Sequence, residues 1–230
     1  MKRIYVIVEG QTEREFVLTI LAPYFGKEGI SISPVPMLKG GGGMGFSNLE
    51  HFKNNVKPLL YEDDQPVITT MVDLFRFPVQ SGIPDEEKEL KQHIANPDAL
   101  GRIVGLEGVM AKAVQKIKAY PHFIPYIQKY ELEALLFSDP VAFGIENSKI
   151  QKDVEEVLTL IPNPEDINTT ESGHPAQRLT DIFAKNKGKY VKGADAVEIA
   201  GAIGIETILE KCPRFRQWVE TLIETAKKTP

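Results

Sequence analysis

Five carboxylates stand where their type and spacing could do chemistry. Glu9 follows an unbroken apolar run, Ile4 to Val8, and Glu13 comes four residues later. Asp73 closes a second strong run that starts at Pro66, while Glu131 and Glu133 follow a third, Phe123 to Tyr130. Hard divalent cations such as Mg²⁺ or Mn²⁺ take oxygen ligands, typically one or two carboxylates with water and substrate phosphate. A cation so held activates water, neutralises phosphate and stabilises a leaving oxygen, so this set suits phosphodiester hydrolysis. Three of these acids also have a structural reading. Glu13 and Glu15 are what a helix N-terminus prefers, and Thr12 with Glu15 fits a capping box. Asp73 can cap the loop after it, and Glu133 can open a helix. Glu9, at the end of an apolar strand, has no such structural role.

Basic residues near the same rim are candidate substrate contacts. Lys39 and Arg76 would meet phosphate or remain solvated surface charges. His174 and Arg178 lie one helical turn apart, and an arginine fork suits phosphate. Alternatively, His174 sits at the cap of a helix opened by Pro175, and Arg178 pairs with an acid. The run Gly40 to Gly43 offers backbone amides, but it lacks the Gly-Lys-Ser/Thr ending of a P-loop and reads as a flexible loop. His51, His93 and His122 have no partner at ligand spacing, which argues against zinc. Cys212 is the only cysteine, so no intrachain disulfide forms, and a buried, inert thiol is expected.

The elements that must position these groups follow from the hydrophobic pattern. Ile4–Val8 and Pro66–Phe75 have the continuous β-branched character of strands buried on both faces. Phe16, Val17, Ile20, Leu21, Tyr24 and Phe25 form a helical stripe, stopped by Gly26 and Gly29. Ile30–Met37 contains two prolines and reads as an edge or irregular strand. Ser47 is expected to cap a helix reaching about Leu60. The segment from Arg76 to Gly105 is rich in proline, glycine and charge, and part of it reads as a long excursion at the carboxyl end of the second strong strand, where α/β folds place ligands. Leu106–Ala119 is expected to be helical. After Asp139-Pro140 the spacing is helical in five further segments, joined by a polar connector from Asn163 to Gly173. The alternation predicts an α/β fold, a mainly parallel sheet flanked by helices with a helical C-terminal portion. Residues 1–140 would form the α/β core and 141–230 a helical layer packed on it.

Composition bounds the rest. The chain has 230 residues, 42% hydrophobic and 26% charged, as expected of a soluble globular protein. No apolar run reaches the ~18 residues of a membrane span. Met1-Lys2-Arg3 precedes only five apolar residues and no cleavage site follows, so this start reads as a strand and a cytoplasmic protein is expected. The net charge of −5 gives no general support for wrapping nucleic acid. An empty cation site is itself acidic, so it does not exclude that partner.

The turn Val8-Glu9-Gly10-Gln11-Thr12-Glu13 after a hydrophobic strand resembles the first motif of the Toprim superfamily of topoisomerases, primases and overcoming-lysogenization-type nucleases. Three further segments sharpen this. They are Val72-Asp73-Leu74-Phe75-Arg76-Phe77-Pro78, Tyr130-Glu131-Leu132-Glu133-Ala134-Leu135-Leu136-Phe137-Ser138 and His174-Pro175-Ala176-Gln177-Arg178-Leu179. Together they resemble an uncharacterised bacterial Toprim-like family often found beside ATPase genes. The resemblance implies a Toprim-like fold and a Mg²⁺- or Mn²⁺-dependent nuclease working with an ATPase partner in defence against phage or plasmids. It implies DNA before RNA as substrate, no membrane partner, and leaves a homodimer open. Glu9 would be the catalytic or metal-binding glutamate and Asp73 the first acid of an Asp-x-Asp pair. Phe75 stands where the second acid belongs, with Asp85, Glu131 or Glu133 as replacements. The missing acid also admits a second reading, a binding or effector module that keeps the scaffold without catalysis.

Overall fold

The computed structural model describes residues 2–39, 42–144, 147–167 and 173–228. Strand β1 (Lys2–Val8) leads into α1 (Gln11–Phe16), a π-helical turn (Val17–Leu21), α2 (Ala22–Lys27) and β2 (Ile30–Pro36). Helix α3 (Leu49–Val56), a 3-10 turn (Leu59–Tyr61) and β3 (Val67–Asp73) follow. Helices α4 (Pro84–Ile94) and α5 (Ala99–Ile117) precede the short strands β4 (Phe123–Ile124) and β5 (Ile127–Gln128). A 3-10 segment (Leu132–Ser138) then opens the helical C-terminal portion. It contains α6 (Val141–Gly144), α7 (Ser148–Leu160), a 3-10 turn (Pro164–Asp166) and α8 (Pro175–Lys185), then α9 (Ala194–Ile203), α10 (Ile205–Lys211) and α11 (Pro213–Lys228).

The protein is an α/β fold with a parallel sheet flanked by helices. Strands run in the order β2-β1-β3-β4, β5 also pairs with β3, and each of these pairings is parallel. From β1 the chain goes to β2 on one side and then crosses back to β3 on the other. The carboxyl ends of β1 and β3 therefore flank a topological switch point, the place where such sheets bind ligands. Val8 pairs with Met71, so Glu9 and Asp73 leave the sheet at one edge.

Both faces are covered. Ile4, Val6 and Val8 join an apolar cluster with Phe16, Leu21, Ala196, Ile208 and Trp218, whereas Ile7 packs on the other side with Phe52, Ile68, Val72 and Ile103. Every residue of β3 is buried, which is why its sequence reads as one apolar run rather than an alternation. Asp73 has the parity of Val67 and Met71, so it faces the side on which the C-terminal helices lie. The proline-bearing β2 is indeed the edge strand, where a missing N–H costs no ladder bond.

Several local expectations are corrected. The strand expected over Phe123–Tyr130 is two short pieces, because Pro125 cannot donate and the ladder breaks there. The Thr70 hydroxyl repairs the gap, donating to the Tyr126 carbonyl and accepting from the Tyr126 amide, both at 2.8 Å. The segment read as an excursion holds α4 and the start of α5. Pro84 and the acids Asp85, Glu86 and Glu87 suit the first turn of α4, and the Asp98 carboxylate caps α5 by accepting from Gly101 N at 2.7 Å. Asn48, not Ser47, caps α3, accepting from His51 N, and that helix ends at Val56. The Thr12–Glu15 capping box does not form. α1 begins at Gln11 without a side-chain cap, and Glu15 instead bonds Gln11 and Arg14. Gly29, at φ +72°, ends the first helical stretch as expected. Among the described residues no helix is long and apolar enough to cross a membrane.

Thr70→Val would strand a buried amide and carbonyl at the break, at roughly 1–3 kcal/mol each. A thermal melt of the variant should fall by several degrees; an unchanged melting temperature would show that Pro125 is tolerated without this repair.

Candidate metal centre

At the edge shared by β1 and β3, the Glu9 side chain is partly buried and those of Glu13, Asp73, Glu131 and Glu133 are buried. One oxygen from each of Asp73, Glu131 and Glu133 lies within 4.8 Å of the others, the spacing at which three carboxylates can share a cation. Asp73 Oδ1 accepts from Leu132 N at 3.1 Å, which fixes the end of β3 to the start of the 3-10 segment. Glu131 is held by His174 Nδ1 at 2.7 Å and by Ala176 N at 3.0 Å, both on the same oxygen. Such outer contacts orient ligands. Glu133 is fully buried, and neither of its oxygens has a hydrogen-bond partner. A carboxylate withdrawn from water in this way marks a place where positive charge is due.

The chain supplies one cation there, which the sequence pattern did not signal. Lys192 Nζ lies 3.3 Å from Glu133 and 3.6 Å from Glu131, as ion pairs. It also lowers the proton affinity of Glu9, Glu13 and Asp73, so it is common to all five acids. Gly193, at φ +97°, lets the chain turn directly after it into α9, and an added Cβ there would lie 3.7 Å from Thr12 Oγ1. The Lys192 loop is thus laid against the first turn of α1. Tyr190, from the same loop, has a buried hydroxyl without a hydrogen-bond partner and is pushed up by burial, then by Glu133.

Crowding in a dry site holds protons on these acids. Burial, then Glu13, raises Glu9 from 4.5 to about 7, against the pull of Lys192 and Lys39. Burial is also the leading cause of the upward shifts of Glu13, Asp73 and Glu133. Glu13 lies in the first turn of α1 and interacts with the other acids. The backbone of Gly10 and of Glu13 itself hydrogen-bonds its carboxylate, while Glu133 and Asp73 couple to it electrostatically. Gly10 is needed for space rather than for a turn. Its φ of −139° suits any residue, but a Cβ would sit 2.6 Å from Glu13 Oε2.

The remaining candidates are dispersed around this centre. Lys39 is exposed yet close enough to Glu9 to act on it. Arg76 is exposed and lies over the Phe75 ring at 5.0 Å, and Phe75 stacks on His174 at 4.5 Å. Arg178 Nε donates to the Gly173 carbonyl at 2.7 Å. Asp85 is exposed in the first turn of α4. Gly40 and Gly41 of the glycine run lie outside the described residues. Cys212 is buried beside Ser138, and burial pushes its thiol up to about 12, in keeping with an inert side chain.

A profile of DUF4276, a domain of unknown function, matches residues 8–223. The chain belongs to this family. All five carboxylates and Lys192 fall inside the matched span. No curated protein matches the chain. A solved structure, the C-terminal region of the OLD protein of Xanthomonas campestris pv. campestris, is similar to this DUF4276 chain with a TM-score of 0.41 and 14% identity, over 98% of this chain and 94% of that one.

Raised carboxylates make the cation-free protein lose stability with rising pH. The folded state keeps protons that the unfolded chain releases near 4.5, so stability is greatest below that value and is lost as pH rises through about 7, where Glu9 ionises. The melting temperature without divalent cations should fall between about pH 5 and about pH 8, and less so in Glu9→Gln. A rise over that window would contradict the burial of these charges. Gly10→Ala should displace the Glu13 carboxylate, weakening Mn²⁺ binding in calorimetry with little change in melting temperature. Unaltered affinity would place Glu13 outside the centre.

Proposed function

We propose that the protein is a divalent-cation-dependent phosphodiesterase, a Toprim-like nuclease. The observation that carries this reading is the Asp73–Glu131–Glu133 triad at the switch point, with an oxygen of each within 4.8 Å of the others and Glu133 fully buried. An all-oxygen donor set favours Mg²⁺ or Mn²⁺ over zinc, and the nearby His174 Nδ1 is already taken by Glu131. When bound, such a cation supplies water activation and charge neutralisation at phosphorus.

The chain's own groups do the rest. Asp73, Glu131 and Glu133 hold the cation, and His174 keeps Glu131 in orientation. Glu9, whose proton affinity is raised to about 7, accepts the proton of the attacking water, since a base is most effective near the working pH. Water oxygen bonds to phosphorus as the bond to the leaving oxygen breaks. Lys192 faces the charge that builds on the phosphoryl oxygens, and Lys39 meets the strand outside. The substrate in this reading is nucleic acid, DNA before RNA. An ATPase partner and a role in defence rest on the resemblance of the four sequence segments.

Labelled DNA should be cut in the presence of Mn²⁺, and Glu9→Gln or Asp73→Asn should reduce cleavage about 10²-fold or more without unfolding the protein. A folded protein that cuts neither DNA nor RNA with Mn²⁺, alone or with its ATPase, would remove this reading. One observation favours the inert module instead. Lys192 already pairs with Glu131 and Glu133, as an internal substitute for the cation would. That reading expects no Mn²⁺ binding heat at all.

A further inference from the structure

A cavity of about 170 Å³ lies beyond the carboxyl end of β3, lined by Leu74, Phe75, Arg76, Ile94, Arg102 and Tyr130. Its walls are the continuations of the two segments that carry the acids. Leu74 to Arg76 follow Asp73, Tyr130 precedes Glu131, and Phe75 N donates to the Tyr130 carbonyl at 3.0 Å. Phe75 is the partition, since its ring lines the cavity and also stacks on His174, the residue that orients Glu131.

Two features of this cavity call for a ligand. The first is charge without a partner. In a chain with 32 acids and 27 bases, neither Arg76 nor Arg102 pairs with a carboxylate among the described residues, and Arg102 Nε is buried without any hydrogen-bond acceptor. A guanidinium is always charged, and its buried N–H groups need an acceptor. The second is backbone strain. Four described residues other than glycine have positive φ, and two of them, Arg76 at +60° and Tyr130 at +69°, line this cavity. Strained backbone of this kind clusters at active sites, ligand clamps and switch regions.

We propose that this cavity binds a second phosphate of the nucleic-acid strand, one or a few nucleotides from the phosphate at the carboxylates. Arg76 and Arg102 take its oxygens, and Phe75 and Tyr130 offer ring surface to an adjoining base. The cavity is smaller than the ~300 Å³ at which whole small-molecule ligands are usually enclosed, which fits a phosphate group rather than a nucleoside. Asp73 and Arg76 are three residues apart, at most about 11 Å between Cα atoms, close enough for neighbouring phosphates of one strand to reach both sites. The proposal rests on the nuclease reading and extends it to how the strand is gripped.

The test is fluorescence anisotropy of a short labelled oligothymidylate in Ca²⁺ buffer, as a function of KCl. Arg76→Gln with Arg102→Gln should weaken binding about tenfold and lower the salt slope by about 0.7, the value for one phosphate that is no longer neutralised on a single strand. Arg76→Gln alone, at an exposed position, should weaken binding and lower the slope by a smaller amount in the same direction, so the outcome does not depend on a buried substitution. Wild-type affinity and slope in a double variant that melts normally would overturn the proposal, as would a wild type that binds no strand. Displacement of the strand by inorganic phosphate at equal phosphate concentration would reassign the cavity to the free anion. Calorimetry with Mn²⁺ reads the carboxylate centre separately, so failure there leaves the strand-binding result standing.

Discussion

Mutual repulsion among carboxylates withdrawn from water is the constraint on which this architecture turns. Glu9, Glu13, Asp73, Glu131 and Glu133 are brought to one edge by three different parts of the chain, and Lys192, ion-paired to two of them, is the cation they all share. Four of the five have their proton affinity raised by burial. Keeping such a group together costs the fold stability. The cost is tolerated because β1 and β3 are buried on both faces, so the sheet beneath is fixed by apolar packing that does not depend on the acids. The strain is thereby confined to the switch point, where a ligand of opposite charge would relieve it.

Part of this was legible in the sequence. Apolar runs ending in acids mark strands entering a common rim, and that pattern placed Glu9 and Asp73 correctly at one edge. The segment after Tyr130 added Glu131 and Glu133 to the same rim. Lys192 was not legible, because it comes from a loop far along the chain from Glu133 and its only local mark is the glycine after it. The capping box failed for a related reason. Thr12 and Glu15 have the right spacing, but Thr12 is buried against the loop bearing Gly193, and tertiary contact overrides the local preference. Helix α4 and the start of α5 were obscured because the prolines and glycines around them read as loop, although Pro84 opens α4 and Asp98 caps α5.

Phe75 changes meaning when seen in three dimensions. By sequence it is a missing acid. In the fold it stacks on His174, which hydrogen-bonds Glu131, and it carries the guanidinium of Arg76 over its ring. An aspartate there would add a sixth charge to a group that already holds protons to survive. The ring instead backs the histidine that holds Glu131, and Glu131 and Glu133 stand with Asp73 at a spacing that could share a cation.

That the triad of Asp73, Glu131 and Glu133 receives a divalent cation, with Lys192 holding its place until then, is tested most directly by anomalous diffraction from crystals soaked in Mn²⁺. The expected result is a manganese peak bonded to oxygens of all three residues, with the Lys192 ammonium moved away from Glu131 and Glu133. A cluster with no anomalous peak, in which Lys192 stays ion-paired to both glutamates, would contradict it.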